Sequence, residues 1–166
     1  MRSRVVPAVL LIALSFPAFC RTSGVNSVTG VPNDVLYHFF FNRVMWLQDQ
    51  ADKMLAQGKG DGAFRDLIRQ QAGLTSQQES ALNAIAADWR TNDAAILRQI
   101  QALAATGARG PTSPQLQALH SQRQQLVLSH LSQLQTAFGA GSFYLLDLFV
   151  HRTVKVTGPG VTPAGN

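Results

Sequence analysis

Hydrophobic residues recur at three- and four-residue steps along most of the chain, a spacing that predicts amphipathic helices. The first predicted helix follows an N-cap at Asn33 or Asp34 and extends to about Gln57. Its apolar stripe consists of Leu36, Phe40, Val44, Leu47, Ala51 and Met54. Further aromatic residues widen this stripe beyond what one partner helix requires. Glycines at positions 58, 60 and 62 then predict the end of the helix and a short link.

A short helix is predicted over residues 63–72, and Gly73 lies where a C-cap glycine belongs. The next helix is predicted to begin with a capping box, in which the Thr75 hydroxyl and the Gln78 amide each bond a free backbone N–H. Leu74 precedes the box as a hydrophobic staple. This helix extends to about Ala105, with apolar positions at Leu82, Ile85, Trp89, Ile96, Ile100 and Leu103. The polar Asn92 falls in the same register, as either a solvated or a register-setting residue.

Ser113 and Pro114 are typical of an N-cap and a first-turn proline, and they predict a helix that extends to about Phe138. Its inward positions are predicted to be Leu116, Leu119, Leu126, His130 and Leu134. Gly139 and Gly141 break this helix, and a short, very apolar helix follows over residues 143–152. No alternating strand pattern remains. The sequence therefore predicts an all-α fold of four or five helices, arranged as an antiparallel hairpin or bundle in a single domain over residues 33–152.

The N-terminus has the layout of a secretory signal peptide over residues 1–20, with two arginines, an apolar stretch over 5–16 and small residues after it. We expect export, most simply to a bacterial periplasm. Cleavage after Cys20 is the favoured interpretation, because the bulky Phe19 disfavours the alternative, a lipoprotein anchored through Cys20. Residues 21–32 are predicted to be a flexible leader and residues 153–166 a disordered Gly/Pro tail. No apolar run after the signal is long enough to predict a transmembrane helix.

Composition narrows the range of functions. The chain has a formal charge of +5, and loss of the signal leaves +3 from 12 basic and 9 acidic residues. Its arginines are scattered singly, which disfavours nucleic acid as a partner. No nucleophile elbow, phosphate loop or dinucleotide fingerprint occurs, so we expect neither enzymatic activity nor a cofactor. The histidines form no i, i+4 pair, and a metal site that uses His120 and His130 is kept only as an alternative.

The first and last predicted helices contain more large apolar side chains than a small helical domain easily covers. One interpretation is that the two helices pack together and close the core. The other is a homodimer interface or a groove for apolar segments of client proteins. The sequence does not separate these roles for the six candidate residues, which are Phe39, Phe40, Trp46, Trp89, Phe143 and Phe149.

The segment Leu74–Gln78 has the pattern L-T-x-x-Q, and a degenerate copy, L-S-x-x-Q, occurs at Leu131–Gln135. In these motifs the chain resembles the Spy/CpxP-type periplasmic proteins. The second copy departs from the pattern, because it has Ser132 in place of threonine and falls inside a predicted helix. The resemblance implies an exported, curved helical dimer that acts as an ATP-independent chaperone or stress adaptor. Leu74, Thr75, Gln78, Leu131 and Gln135 would then be structural motif residues.

Together these observations predict an exported, non-enzymatic helical protein that binds protein partners or unfolded clients. The main alternative is a structural or assembly subunit without client activity, whose apolar face is permanently buried in an oligomer.

Overall fold

A computed structural model of the chain describes residues 31–106 and 113–154. These ranges contain no strand, and they form five helices, which confirms the predicted all-α fold. The helices are α1 (Asn33–Ala56), α2 (Gly62–Arg65), α3 (Leu67–Ala72), α4 (Ser76–Ala105) and α5 (Pro114–Thr153). The predicted signal peptide, the leader up to residue 30, residues 107–112 and the tail from residue 155 lie outside the described residues.

Local hydrogen bonds fix the start of α4 where the sequence predicts it. The backbone N–H of Gln78 donates to Thr75 Oγ1 at 3.2 Å, and the backbone N–H of Thr75 donates to Gln78 Oε1 at 2.9 Å. Gly73 ends α3 in the left-handed conformation (φ 66°, ψ 36°), which a glycine adopts without the penalty of a Cβ. Ser113 caps α5, since its hydroxyl accepts from the Leu116 N–H at 3.4 Å. The predicted capping box, C-cap glycine and N-cap serine are all confirmed.

Two helix boundaries differ from the sequence-based expectation. Pro32, and not Asn33 or Asp34, has the N-cap position of α1, and no side chain caps this end. The helix predicted over residues 63–72 is divided at Asp66 into the short helices α2 and α3. The backbone N–H of Asp66 still bonds the Gly62 carbonyl, so the two short helices form a continuous connector between α1 and α4.

The core lies between α1, α4 and α5. Interhelical contacts pair Asp93 with Arg123 and Asp88 with His130, so α4 and α5 are antiparallel. Trp89 is central to the core, with its ring 5.4 Å from the ring of Phe41. The fully buried large side chains are Trp89, Tyr37, Phe40, Phe41, Leu36, Leu82, Leu134, Leu146, Val44 and Val150. Removing each such side chain from water stabilises the fold by about 1.5–3 kcal/mol, which makes this cluster the main source of stability.

Helix α5 changes direction at Gly139. This residue has φ 70° and ψ 163°, a backbone conformation that is essentially restricted to glycine. The predicted break is thus confirmed at Gly139, whereas Gly141 is helical. The helix ends at Thr153, which the sequence had placed in the tail. We refer to residues 140–153, after the break, as the C-terminal segment.

Candidate protein-binding surface

The C-terminal segment is attached to α1 through Tyr37. The Tyr37 hydroxyl donates a hydrogen bond of 2.8 Å to Asp147 Oδ1, and its ring stacks on that of Phe143 with centroids 6.4 Å apart. Burial, together with the nearby Asp147 carboxylate, raises the pKa of Tyr37 well above its usual value. Tyr37 therefore remains a neutral donor at any physiological pH. On the same side of the segment, Leu146, Phe149 and Val150 are buried in the core.

The opposite side of the C-terminal segment is apolar and exposed. The exposed fractions are 61% for Tyr144, 60% for Leu145 and 43% for Leu148. At 100° per residue these side chains and Arg152 project away from the buried side. We name Tyr144, Leu145, Leu148 and Arg152 the C-terminal face. The C-terminal segment therefore has large apolar side chains on its exposed side as well as on the side that is buried in the core.

A second, less continuous apolar surface lies on α1. Phe39 and Trp46 are 44% and 54% exposed and lie seven residues apart, so they project from the same side of the helix. The exposed Asn42 and the half-buried Arg43 lie between them along this side. Trp46 is partly covered by the edge of Phe64 from α2, at a centroid distance of 6.3 Å. The C-terminal face is therefore the denser of the two surfaces.

The structure divides the six aromatic candidates between the core and the surface. Phe40, Trp89 and Phe149 are buried, so they are not available to a partner in this fold. Phe143 is half-buried against Tyr37, whereas Phe39 and Trp46 are exposed. The exposed residues of the C-terminal face are absent from the six candidates. At helical spacing Tyr144, Leu145 and Leu148 lie on a different side of the helix from Leu146, Phe149 and Val150, but both sets are apolar, so the sequence does not show which set faces the core.

The five motif residues are also separated by the structure. Leu74 is buried beside the capping box that Thr75 and Gln78 form, so the first motif organises the start of α4. Leu131 is part of the core, and Gln135 is exposed in the interior of α5. The second copy therefore caps no helix, as its predicted position inside a helix indicated.

Two polar contacts cross the interface between α4 and α5. Arg123 donates from Nε and Nη2 to the two oxygens of Asp93, at 2.6 and 2.9 Å. His130 contacts Asp88 Oδ2 through Nε2 at 2.9 Å and the Leu126 carbonyl through Nδ1 at 2.8 Å. Asn92, the residue expected in this register, is exposed and bonds the Asp88 carbonyl. The buried polar residue of α4 is thus Asp93, one position further along.

A charged cluster holds the α2–α3 connector against α1 and α4. Arg65 donates to Gln48 Oε1 at 3.1 Å and also pairs with Asp52 and Asp61. Arg69 pairs with Asp66 and with Glu79, which lines a small pocket with room for roughly one water molecule. Burial raises the pKa of Glu79, and the Arg69 guanidinium partly opposes this shift. A pocket of this size serves packing and is too small for an organic substrate.

The histidine positions bear on the metal alternative. His120 is exposed, and both ring nitrogens of His130 already have protein partners. Within residues 31–106 and 113–154, no three His, Cys, Asp or Glu side chains are arranged to hold a metal ion. Over the same ranges, no helix has the length and hydropathy needed to cross a membrane.

Comparison of the chain with protein-family models, with curated proteins and with solved structures finds no match. The similarity to Spy/CpxP-type proteins through Leu74–Gln78 therefore remains a prediction.

Proposed function

We propose that this chain is an exported, non-enzymatic protein that binds protein partners or unfolded clients through its C-terminal face. The observation that carries the proposal is the exposure of Tyr144, Leu145 and Leu148 on a segment whose other side is already in the core. Contiguous apolar side chains on a soluble helix mark a site of interaction with another chain. An apolar helix face of this kind typically receives an amphipathic segment at i, i+3 and i+4 spacing.

The sequence supports the remaining parts of the proposal. The apolar stretch over residues 5–16 favours export, and the L-T-x-x-Q motif at Leu74–Gln78 favours a Spy/CpxP-like chaperone or stress adaptor. The non-enzymatic character is supported by the way the carboxylates are used. Most of them are paired with arginines within the fold and are not left free for proton transfer, including Asp49, Asp52, Asp61, Asp66 and Asp93.

Suppression of aggregation tests the proposal. The purified protein is mixed at stoichiometric amounts with a chemically unfolded client, and light scattering is followed as the client is diluted into buffer. We expect the wild type to slow scattering and the double variant Leu145→Gln/Leu148→Gln to lose most of this effect. The control is Leu55→Gln, which changes a leucine near the end of α1 that is about as exposed as Leu145. Circular dichroism of each variant verifies that the helices are retained.

Two outcomes would contradict the proposal. The wild type could leave scattering unchanged, or the double variant could suppress it as well as the wild type does. If the wild type is inactive and sedimentation shows an oligomer that the double variant dissociates, the chain is an assembly subunit and the C-terminal face is its subunit interface.

A further inference from the structure

Acidic residues of the described ranges are almost all occupied by partners within the fold. Their contacts are Asp49 with Arg90, Asp52 and Asp61 with Arg65, Asp66 and Glu79 with Arg69, Asp88 with His130, Asp93 with Arg123, and Asp147 with Tyr37. Asp34 is the exception within these ranges. Five cations, in contrast, have no acidic partner among the described residues, namely Arg43, Lys53, Lys59, Arg98 and Arg152. The charge left free on this part of the surface is therefore positive.

One of these free cations belongs to the C-terminal face. Arg152 lies one turn after Leu148, so its side chain projects from the same side of the helix as the exposed apolar residues. It is in the last turn of α5, where the helix dipole favours a positive charge. The one carboxylate of the C-terminal segment, Asp147, accepts the Tyr37 hydroxyl on the inner side. The face thus combines three apolar side chains with an unneutralised guanidinium.

We propose that the natural partner of the C-terminal face is an acidic amphipathic segment, whose apolar residues cover Tyr144, Leu145 and Leu148 and whose carboxylate pairs with Arg152. The inference rests on the proposed function and names the chemistry of its partner. A guanidinium with five donors is satisfied best by a carboxylate, which can accept from it in a bidentate geometry. Carboxylates on the partner also place opposite charge against a surface whose free charge is positive, and this favours encounter as well as pairing.

A second copy of this chain fits the same face poorly. Self-association through the C-terminal face would bring together two apolar patches, each with an arginine and without an exposed carboxylate. Both guanidinium groups would remain unpaired at the edge of the contact. The second apolar surface, on α1, offers no better match, because the cation between Phe39 and Trp46 is Arg43. Charge complementarity therefore points to a different, acidic chain.

Binding of matched peptides tests the inference. Three fluorescent peptides of about 18 residues carry leucines at i, i+3, i+4 and i+7, and they differ only in having glutamate, glutamine or lysine beside the leucines. Anisotropy titrations use the purified protein at low and at physiological salt. We expect the glutamate peptide to bind about two- to fivefold more tightly than the glutamine peptide, which is the range for an exposed ion pair. The lysine peptide should bind most weakly, and physiological salt should reduce the differences in affinity among the three peptides.

Variants assign the preference to the C-terminal face. Arg152→Gln should abolish the difference between the glutamate and glutamine peptides. Arg98→Gln, which removes an exposed and unpaired arginine from α4, is the matched control and should preserve it. Leu148→Gln should weaken the binding of the glutamate peptide and of the glutamine peptide by the same factor, since it removes apolar contact and leaves the charge unchanged.

The outcomes that overturn the inference differ from those that overturn the proposed function. Equal binding of the glutamate and glutamine peptides, or a preference that survives in Arg152→Gln, contradicts the acidic partner even if Leu148→Gln weakens binding. If the affinity for the peptides is the same in Leu148→Gln as in the wild type, the proposed function itself is contradicted. Two further results would overturn the acidic segment as the partner and identify another one. Self-association that Leu148→Gln abolishes would identify a second copy, and Leu148-dependent binding to phosphatidylglycerol vesicles without peptide binding would identify a lipid surface.

Discussion

The buried pair of Asp93 and Arg123 gives the sharpest test of the packing between α4 and α5. Asp93 is 5% exposed, and both of its oxygens are bonded by Arg123. The substitution Arg123→Met keeps a long apolar stem and removes both donors. The carboxylate of Asp93 would then be left without its cation inside the interface between the two helices.

The cost of Arg123→Met can be estimated from the burial of the two partners. Breaking a fully buried ion pair by removing one partner costs about 3–5 kcal/mol, because the other charge stays desolvated. The Arg123 side chain is 23% exposed, so water screens part of the interaction. We therefore expect a loss of about 2–4 kcal/mol in the free energy of unfolding. For a helical domain of this size, each kcal/mol lowers the midpoint temperature by about 3–6 °C.

Urea unfolding followed by circular dichroism measures this loss, and two further variants sharpen it. Arg90→Met is the matched control, because Arg90 also pairs with an aspartate of another helix, Asp49, but both side chains are more than 40% exposed. Its expected cost is about 0–1 kcal/mol. The double variant Asp93→Leu/Arg123→Met should recover most of the loss, since it leaves no charge in the interface. Equal costs for Arg123→Met and Arg90→Met, or a double variant as unstable as the single one, would refute the reasoning.

Three further perturbations address the backbone, the cap and the pH dependence. Gly139→Ala should lower the free energy of unfolding by about 1–3 kcal/mol, because alanine is strained at φ 70° and ψ 163°. Gly141→Ala is the control, since Gly141 is at a helical position with open space around it. In the same denaturation assay this variant should be neutral or stabilising by up to about 1 kcal/mol. Thr75→Ala should cost about 1 kcal/mol and fray the start of α4 in hydrogen exchange, and unchanged protection there would contradict the capping role. Burial and the nearby Arg123 lower the pKa of His38 below its ordinary value of 6.5, so its protonation favours the unfolded chain and stability is lost as the pH falls through 6.5 towards that lower pKa. The wild type should therefore be more stable relative to His38→Gln at pH 7 than at pH 5, so that its free energy of unfolding minus that of the variant is larger at pH 7. A difference that does not vary with pH would contradict this sign.

The helix boundaries that the sequence predicts best are those fixed by local chemistry. The Thr75–Gln78 box, the glycine at position 73 and the serine at position 113 act on backbone groups only a few residues away. The sequence predicts such caps well because no distant part of the chain takes part in their hydrogen bonds. The N-cap of α1 is a local signal that the sequence predicts wrongly. Asn33 and Asp34 are both good capping residues, but the chain places Pro32 at this position, where no side chain contributes.

The polar contact inside the helix pair could not be predicted from α4 alone. The register of its apolar residues includes Asn92, for which the sequence leaves open a solvated role or a role in setting the helix register, and the structure leaves this residue exposed. The structure buries Asp93 instead, because Arg123 lies opposite it on α5, 30 positions away. Arg123 offsets the cost of burying the Asp93 carboxylate. Because the two residues are brought together only when α4 packs against α5, the local pattern of α4 does not show this pairing.

The binding surface was only partly predictable for a different physical reason. The C-terminal segment is apolar on both sides, so its hydrophobic pattern does not reveal which side faces the core. Packing against Tyr37 decides this, because its contacts with Phe143 and Asp147 turn Leu146 inward and leave Leu145 exposed. A choice of candidates by aromatic size therefore included Phe40, Trp89 and Phe149, which are core residues, and did not include the two exposed leucines.

Site-specific photo-crosslinking tests most directly whether the C-terminal face binds other proteins. A photoreactive phenylalanine analogue replaces Leu145 in one variant and Leu55 in a control, and each purified variant is irradiated with an unfolded client. We expect a crosslink to the client from position 145 that the acidic amphipathic peptide competes away, and much less from position 55. Crosslinking that is equal at the two positions, or that joins only copies of this chain, would contradict a client-binding C-terminal face.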